Sequence, residues 1–412
     1  MAADECIREF QDSIMSKDIE TLWIISELFP PEETSTGYIM GEIANVMTKK
    51  YNVKVICGPE VYDEKKKNVL GKSNVIESSV QLYRVPAVKE NKNSKMSRIK
   101  KFLFMSWQLY KVAMKEIKKE DKVLMVSNPF PLIVLMGHLR KCRDFNLTML
   151  VHDIYPEGLF TDMALPPFAY KLAEKIFNKA YSRVDTFISI GRDMNDVLER
   201  KCYGQKHQPK IVNIENWGDV DGIKPKNRES DGFIKIQYAG NIGNAQGLGE
   251  MVEMVNEANN FFVKFGIWGT GSAEEKIKER VEELSLQNQV VFYGPYSRNQ
   301  QLEVLNDSDI SLVTLVKGMY GLGVPSKTYN ILAAGKPILY IGEYGTEIWR
   351  TVEENQIGYC FEPDDKKGIV NFIKSLSVEK LPFLRTMGLK SRNLAEKLYS
   401  RDAILAKFLE AV

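Results

Sequence analysis

GLGVPSKTYNILAAGKPIL, residues 321–339, holds a loop, a helix start, a short helix and a buried strand in nineteen letters. Gly321 and Gly323 let the backbone come close to a ligand, and Pro325-Ser326 open a helix whose first N–H groups have no intrahelical partner. Those donors, the positive end of the helix dipole and the ammonium of Lys327 converge on one point, an arrangement suited to a phosphate. Gly335 closes the helix as a C-cap, and Pro337 leads into an apolar strand at 338–341. The plain alternative is a loop-helix-strand connection of an α/β domain in which Lys327 is a solvated charge.

Outward from this stretch the same alternation recurs. Apolar runs at 234–239, 263–268, 290–293 and 310–315 each precede a helix-like segment, as expected of strands buried on both faces of a doubly wound parallel sheet. A second set lies nearer the N-terminus. There TLWIIS (21–26) is followed by a loop at 27–36, a helical pattern from Gly37 through Lys50, and a run at 53–57 that completes a βαβ unit. Further strands are expected at 81–86, 123–127, 147–151 and 186–190. No G-x-G-x-x-G is present, which gives a dinucleotide reading little support. Between the two sets, 205–231 turns rich in Gly, Pro, Asn and charge, the mark of a domain boundary. The chain thus divides into an N-terminal extension (1–20, expected to be helical), a first domain (21–210), a linker (211–231) and a second domain (232–395). A C-terminal helix (396–412) is expected to return to the first domain.

Two domains also suit the length of 412 residues, and two lobes imply a cleft. With 56 basic and 54 acidic residues and a net charge of +2, there is no global electrostatic case for a nucleic-acid partner. A hydrophobic fraction of 44% suits a soluble globular chain. Five scattered cysteines form no C-x-x-C pair and have no histidines spaced to complete a zinc site, a pattern that fits a reducing cytoplasm. The first twenty residues carry acids where a secretory signal needs bases, and no apolar run approaches the roughly 20 residues that span a bilayer.

In such sheets ligands sit at the carboxyl ends of strands. After 147–151 the sequence places His152-Asp153-Ile154-Tyr155-Pro156-Glu157, after 234–239 Gly240-Asn241-Ile242-Gly243-Asn244, and after 263–268 Gly269-Thr270-Gly271. If the lobes face one another, these loops and the Lys327 helix share one cleft.

In this order, FPPEETSTG (29–37), HDIYPE (152–157), SIGRDM (189–194), IENWGD (214–219), YAGNIGNAQGL (238–248), GTG (269–271), VVFYG (290–294) and PSKTYNILAAGKP (325–337) form a specific set. They resemble the retaining family 4 glycosyltransferases of GT-B fold, in the branch that makes bacterial surface polysaccharides. The similarity runs from about residue 19 to the C-terminus. It implies an α/β fold of two doubly wound, Rossmann-like domains facing a central cleft, with the acceptor in the first and the nucleotide-sugar donor in the second. The resemblance puts the diphosphate at Asn241, Gln246 and the Ser326-Lys327 helix start, the nucleobase beside Pro295 and Tyr296, and the ribose at Asn330. It puts an acid near the donor at Glu347, and Gly37 and Gly269 complete the donor-binding set. His152 would contact the donor sugar, while Asp153 and Glu157 would hold sugar hydroxyls or orient the acceptor.

The departures from the commoner pattern are Asn241 and Gln246 in place of Arg and Lys, and Leu322 and Asn330 in place of two glutamates. A hydrogen bond to a charged group contributes about 1.5 to 3 kcal/mol and a neutral one about half that, so Lys327 is left to carry the charge. An amide at Asn330 can still bond a ribose hydroxyl. For His152 the alternative is a strand-end imidazole bonded to a backbone carbonyl. Asp219-Val220-Asp221 imitates the metal-binding D-x-D of another transferase fold, but a turn at Val220-Asp221-Gly222 accounts for the acids. The resemblance implies transfer without metal or cofactor, the leaving phosphate itself taking the acceptor proton.

Residues 96–119 mix an apolar aromatic side with lysines and arginine, a basic amphipathic pattern that signals an anionic membrane surface. A core-packing helix with a solvated basic face would read the same way. The expectation is then a glycosyltransferase of the cytoplasm, peripheral on the inner membrane face, moving a sugar from a UDP- or GDP-sugar to a glycan or lipid-linked glycan. A nucleotide-sugar epimerase and a catalytically silent donor-binding subunit are the alternatives, the latter kept open by Asn241, Gln246, Leu322 and Asn330.

Overall fold

The computed structural model describes residues 19–32, 34–60, 75–88, 95–159, 166–205 and 207–412. Residues 1–18 of the N-terminal extension expected to be helical (1–20) lie outside the described residues, as does Glu33 of the 27–36 loop.

The first sheet has seven parallel strands in the order β3-β2-β1-β4-β5-β6-β7. Its chain runs β1 (Thr21–Ser26), α1 (Ser35–Met47), β2 (Asn52–Cys57), β3 (Gln81–Arg84), α2 (Lys95–Glu116) and β4 (Lys122–Val126). It continues through α3 (Pro131–Cys142), β5 (Asn146–Val151), α4 (Pro167–Tyr181), β6 (Thr186–Ser189), α5 (Arg192–Cys202) and β7 (Lys210–Asn213). The interior strand β1 is apolar because both its faces are covered: Leu22, Ile24 and Ile25 are fully buried, and Ile24 sits opposite Val55 on one side and Leu124 on the other. Thr34 starts α1 by accepting the Gly37 N–H at 3.0 Å.

The second sheet has six parallel strands in the order β10-β9-β8-β11-β12-β13. Its chain runs β8 (Ile234–Ala239), α6 (Leu248–Ala258), β9 (Val263–Trp268), α7 (Glu274–Glu283), β10 (Val290–Gly294), α8 (Gln301–Asn306) and β11 (Ile310–Thr314). Then follow α9 (Lys327–Ala333), β12 (Ile338–Ile341), α10 (Glu347–Asn355), β13 (Gly358–Phe361), α11 (Lys366–Lys374), α12 (Leu381–Leu398) and α13 (Arg401–Ala411).

Two strands differ from the expectation. Lys210–Asn213, at the start of the stretch read as linker, is the outermost strand of the first sheet, and Gly358–Phe361, where no strand was expected, is the outermost strand of the second. Both are four residues long and only half-buried, so neither shows the apolar run that marks a strand covered on two faces. The basic amphipathic stretch forms α2. Met105, Leu109, Ala113 and Ile117 face the core, Phe102 lies edge-on to Phe130, and Trp107 stands at the surface. No helix among the described residues is long and apolar enough to cross a membrane.

The chain passes from the first domain to the second and then back. Helix α13 lies against α1, burying Ile404, Leu405 and Phe408, and Tyr51 Oη donates to the Val412 carbonyl at 2.7 Å. At the return, Gly218 N–H donates to Tyr399 O at 3.0 Å and Gly218 forms a bridge with Ser400, so the two crossings run side by side. The strand-end loops of the two sheets meet: Ile154 N–H donates to Leu322 O at 3.2 Å.

Candidate functional site

The loop ahead of α9 reaches across to the first domain. Gly321 has φ +67, and a Cβ there would lie 2.6 Å from Asp193 O, while its N–H donates to Asp193 Oδ2 at 3.2 Å. A Cβ on Gly323 would stand 3.3 Å from both Asp153 Oδ1 and His152 O. These contacts bring the His152-Asp153 end of β5 beside the loop that carries Ser326 and Lys327.

Ser326 precedes α9 without capping it through its side chain. Lys327 is not the solvated charge of the plain reading: its Nζ is buried 3.4 Å above the Tyr238 ring centroid and has no hydrogen-bond partner. Burial pushes its ammonium down to about 7. With Gln237, Tyr296, Gln301 and Asn330, Lys327 lines a small pocket beside the end of β8 and Ser311 near the start of β11.

Around this pocket the strand ends are pressed together. Gly269 has φ +124, and a Cβ there would sit 1.8 Å from Gly240 O, a separation no side chain survives. Asn241 is exposed, and its carbonyl accepts from Tyr238 Oη at 2.6 Å. Gln246 turns inward, its Oε1 accepting the Gly243 N–H at 3.0 Å, so its amide shapes the loop. Asn330 Oδ1 accepts the Asp219 N–H at 2.9 Å, tying α9 to the connecting segment. Tyr296 stands edge-on to Trp268, which stacks on Tyr293 at 4.6 Å and buries its indole N–H without a partner.

On the first domain, the His152 N–H donates to Ser127 Oγ at 3.1 Å, while the ring Nε2 is buried with no hydrogen-bond partner. A carbonyl-bonded Nε2 is therefore not what holds this imidazole. Burial pushes it down to about 4, so it is neutral at pH 7. Asp153 accepts from Asn128 Nδ2 at 2.7 Å, and burial raises its carboxyl.

Three further candidates make contacts of their own. Glu157 accepts from Lys201 Nζ at 2.6 Å, leaving Oε2 buried without a partner. Glu347 is buried and already engaged. Arg192 grips it through Nε at 3.0 Å, Nη2 at 3.0 Å and its backbone N–H at 2.7 Å, and Thr351 adds a further bond. This acid joins the two domains. Gly37 sits at the start of α1, where a Cβ would be 2.8 Å from Glu32 O. In the D-x-D look-alike, Asp219 Oδ1 accepts the Gly222 N–H at 2.8 Å, as the turn reading requires. Among the described residues no group of three His, Cys, Asp or Glu is placed to hold a metal ion.

Tyr238, Trp268 and Arg192 were not singled out from the sequence. Tyr238 and Trp268 sit near or at the ends of apolar strands, where an aromatic is read as core, and only the facing Lys327 and the orphaned indole N–H mark them. Arg192 lies in the quoted SIGRDM run, but its partner is 155 residues away.

Residues 219–393 match the family model "Glycosyl transferases group 1". The chain is 28% identical to the probable glycosyltransferase WbjE of Pseudomonas aeruginosa, over 95% of this chain and 97% of that one. Among solved structures it resembles sucrose-phosphate synthase from Thermosynechococcus elongatus, with TM-score 0.73 at 12% identity over 95% and 98% of the two chains. It also resembles Anabaena HepE in complex with UDP, with TM-score 0.66 at 12% identity over 95% and 98%. Two parallel Rossmann-like sheets with facing strand ends, and a family match over the segment that holds Lys327, lead to one conclusion: residues 219–393 carry a glycosyl transferases group 1 domain within a GT-B fold.

Proposed function

We propose that this protein transfers a sugar from a UDP- or GDP-sugar to a glycan or lipid-linked glycan acceptor in polysaccharide biosynthesis, with retention and without a metal. The observation that carries the reading is Lys327. A buried ammonium without an acceptor is costly, and a diphosphate in the adjoining pocket supplies the oxygens it lacks. Charge develops on the leaving diphosphate as the glycosidic bond breaks, and Lys327 together with the α9 start meets that charge. His152, neutral and with Nε2 unpaired, offers a hydrogen bond to a donor-sugar hydroxyl, and Asp153 orients beside it. The acceptor oxygen bonds to the anomeric carbon as the carbon–phosphate-oxygen bond breaks, and the acceptor proton passes to the departing phosphate. UDP is the first donor nucleotide to test, since HepE, a protein of similar fold, is described with UDP bound.

The surface of α2, with Lys100 and Lys111 flanking Leu103 and Trp107, supports attachment to an anionic lipid surface, where a lipid-linked acceptor would lie. Thermal shift with UDP, GDP and their sugars tests the donor site, because a ligand at 100 times its Kd stabilises by about 2.7 kcal/mol. Nucleotide release that requires an acceptor is the expected outcome. Sugar interconversion without acceptor would replace the reading with epimerisation, and binding without turnover would leave a donor-binding subunit.

A further inference from the structure

Helix α4 presents an unusual outer face. Phe168, Leu172 and Ile176 are 76%, 60% and 44% exposed, at the spacing of one helical stripe, and Lys171, Lys175 and Lys179 are exposed on the same side. Its inner face is filled by Phe177, Ala180 and Tyr181, so the outer apolar residues are surplus to the core. Helix α3 packs between α4 and α2, and α2 turns outward a similar stripe of Leu103 (54% exposed) and Trp107 (49%) with Lys100, Lys111 and Lys115. Each of the two helices contains one acid, Glu116 and Glu174, and both are half-buried. Both stripes start at the cleft rim. Lys101 near the start of α2 pairs with Glu27 just after β1, and Tyr170 in the first turn of α4 donates to Glu157 of the loop that carries His152.

We propose that α4 lies with α2 on an anionic lipid surface, its apolar stripe inserted among the acyl chains and its lysines at the phosphates. The proposal extends the lipid-surface reading of α2 and rests on it. Lysines alternating with aromatic and aliphatic groups match the boundary between headgroup and acyl chain, where apolar burial and attraction to anionic lipid add. The placement sets the mouth of the cleft at the headgroup layer.

Cosedimentation of the full chain with vesicles of phosphatidylcholine alone, or with one third phosphatidylglycerol, tests it. Wild type is expected to bind the mixed vesicles. Phe168→Ser with Leu172→Ser, and separately Lys171→Glu, Lys175→Glu and Lys179→Glu together, are each expected to lower the partition constant roughly tenfold or more. UDP-induced thermal shifts should stay as in wild type. If both α4 variants bind like wild type while Lys100→Glu with Lys111→Glu releases the protein, α4 is not part of the surface and the α2 reading stands. If wild type binds neither vesicle, both fall. If the serine variant converts a dimer to a monomer in sedimentation velocity without altering vesicle binding, the face serves self-association and the proposal is overturned.

Discussion

Lys327 spends its charge on a buried position, and its consequence is a coupling between nucleotide affinity and protons. With the ammonium held near 7 by burial, docking of a diphosphate raises it again, so binding takes up a proton between pH 7 and the bound value. Affinity for UDP or GDP should be greatest below pH 7 and fall as pH rises above it. Calorimetry in buffers of different ionisation enthalpy should show the uptake in wild type and none in Lys327→Met. Loss of this charge-assisted contact should weaken binding by about 10- to 150-fold, whereas Lys317→Ala, an exposed residue paired with Asp364, should change little. The same argument gives stability the opposite sign. The unfolded amine titrates near its ordinary value and the folded one near 7, so the variant should melt higher than wild type at pH 7, with the gain shrinking as pH rises toward that ordinary value. His152→Ala and Asp153→Ala, on the other domain, should leave nucleotide affinity near wild type while lowering turnover at least about tenfold. Loss of nucleotide binding in either variant with the fold intact would remove them from the sugar side.

At the scale of elements, the tightest constraint is the meeting of the β8 and β9 ends. Gly269→Ala would drive a methyl into the Gly240 carbonyl at a positive φ, and we expect a loss of about 2 to 4 kcal/mol in urea unfolding. The central strands were readable from sequence because covering both faces demands continuous apolar runs: Ile234–Ala239, Val263–Trp268 and Ile338–Ile341 appear where the letters place them. Two of the four outermost strands, Lys210–Asn213 and Gly358–Phe361, were not, since an edge makes no such demand, although Gln81–Arg84 and Val290–Gly294 at the other edges were. Lys327 was legible as a candidate from the helix start around it. Its burial was not, because that depends on Tyr238, a strand residue 89 positions earlier whose orientation only the fold decides. Glu347 was expected as an acid near the donor; the salt bridge it makes joins residues on different domains, which leaves no local trace in the sequence.

For the molecule as a whole, that salt bridge is where the domains are fastened on the α5 side. Arg192 reaches Glu347 and Glu354 on α10, and Gly321 reaches Asp193 next to it. Arg192→Ala leaves the Glu347 carboxylate buried without its cation. The variant should show a larger radius of gyration by small-angle scattering and weaker donor binding, with Arg192→Lys recovering only part because a single ammonium cannot replace the two-point grip. An unchanged radius would mean that the loop contacts suffice. Beside the salt bridge, where Tyr399 bonds to Thr351, the paired crossings at Gly218 and Ser400 tie the two connections together, so we expect opening to be a swing about that line and not a separation of lobes. A backbone nick within 224–232 should therefore release nothing: the downstream fragment keeps α13, clasped to α1 by Ile404, Leu405 and Phe408. Both fragments should elute together in native size exclusion and part only in denaturant, the behaviour of a clasp knife whose spring is the last helix of the chain.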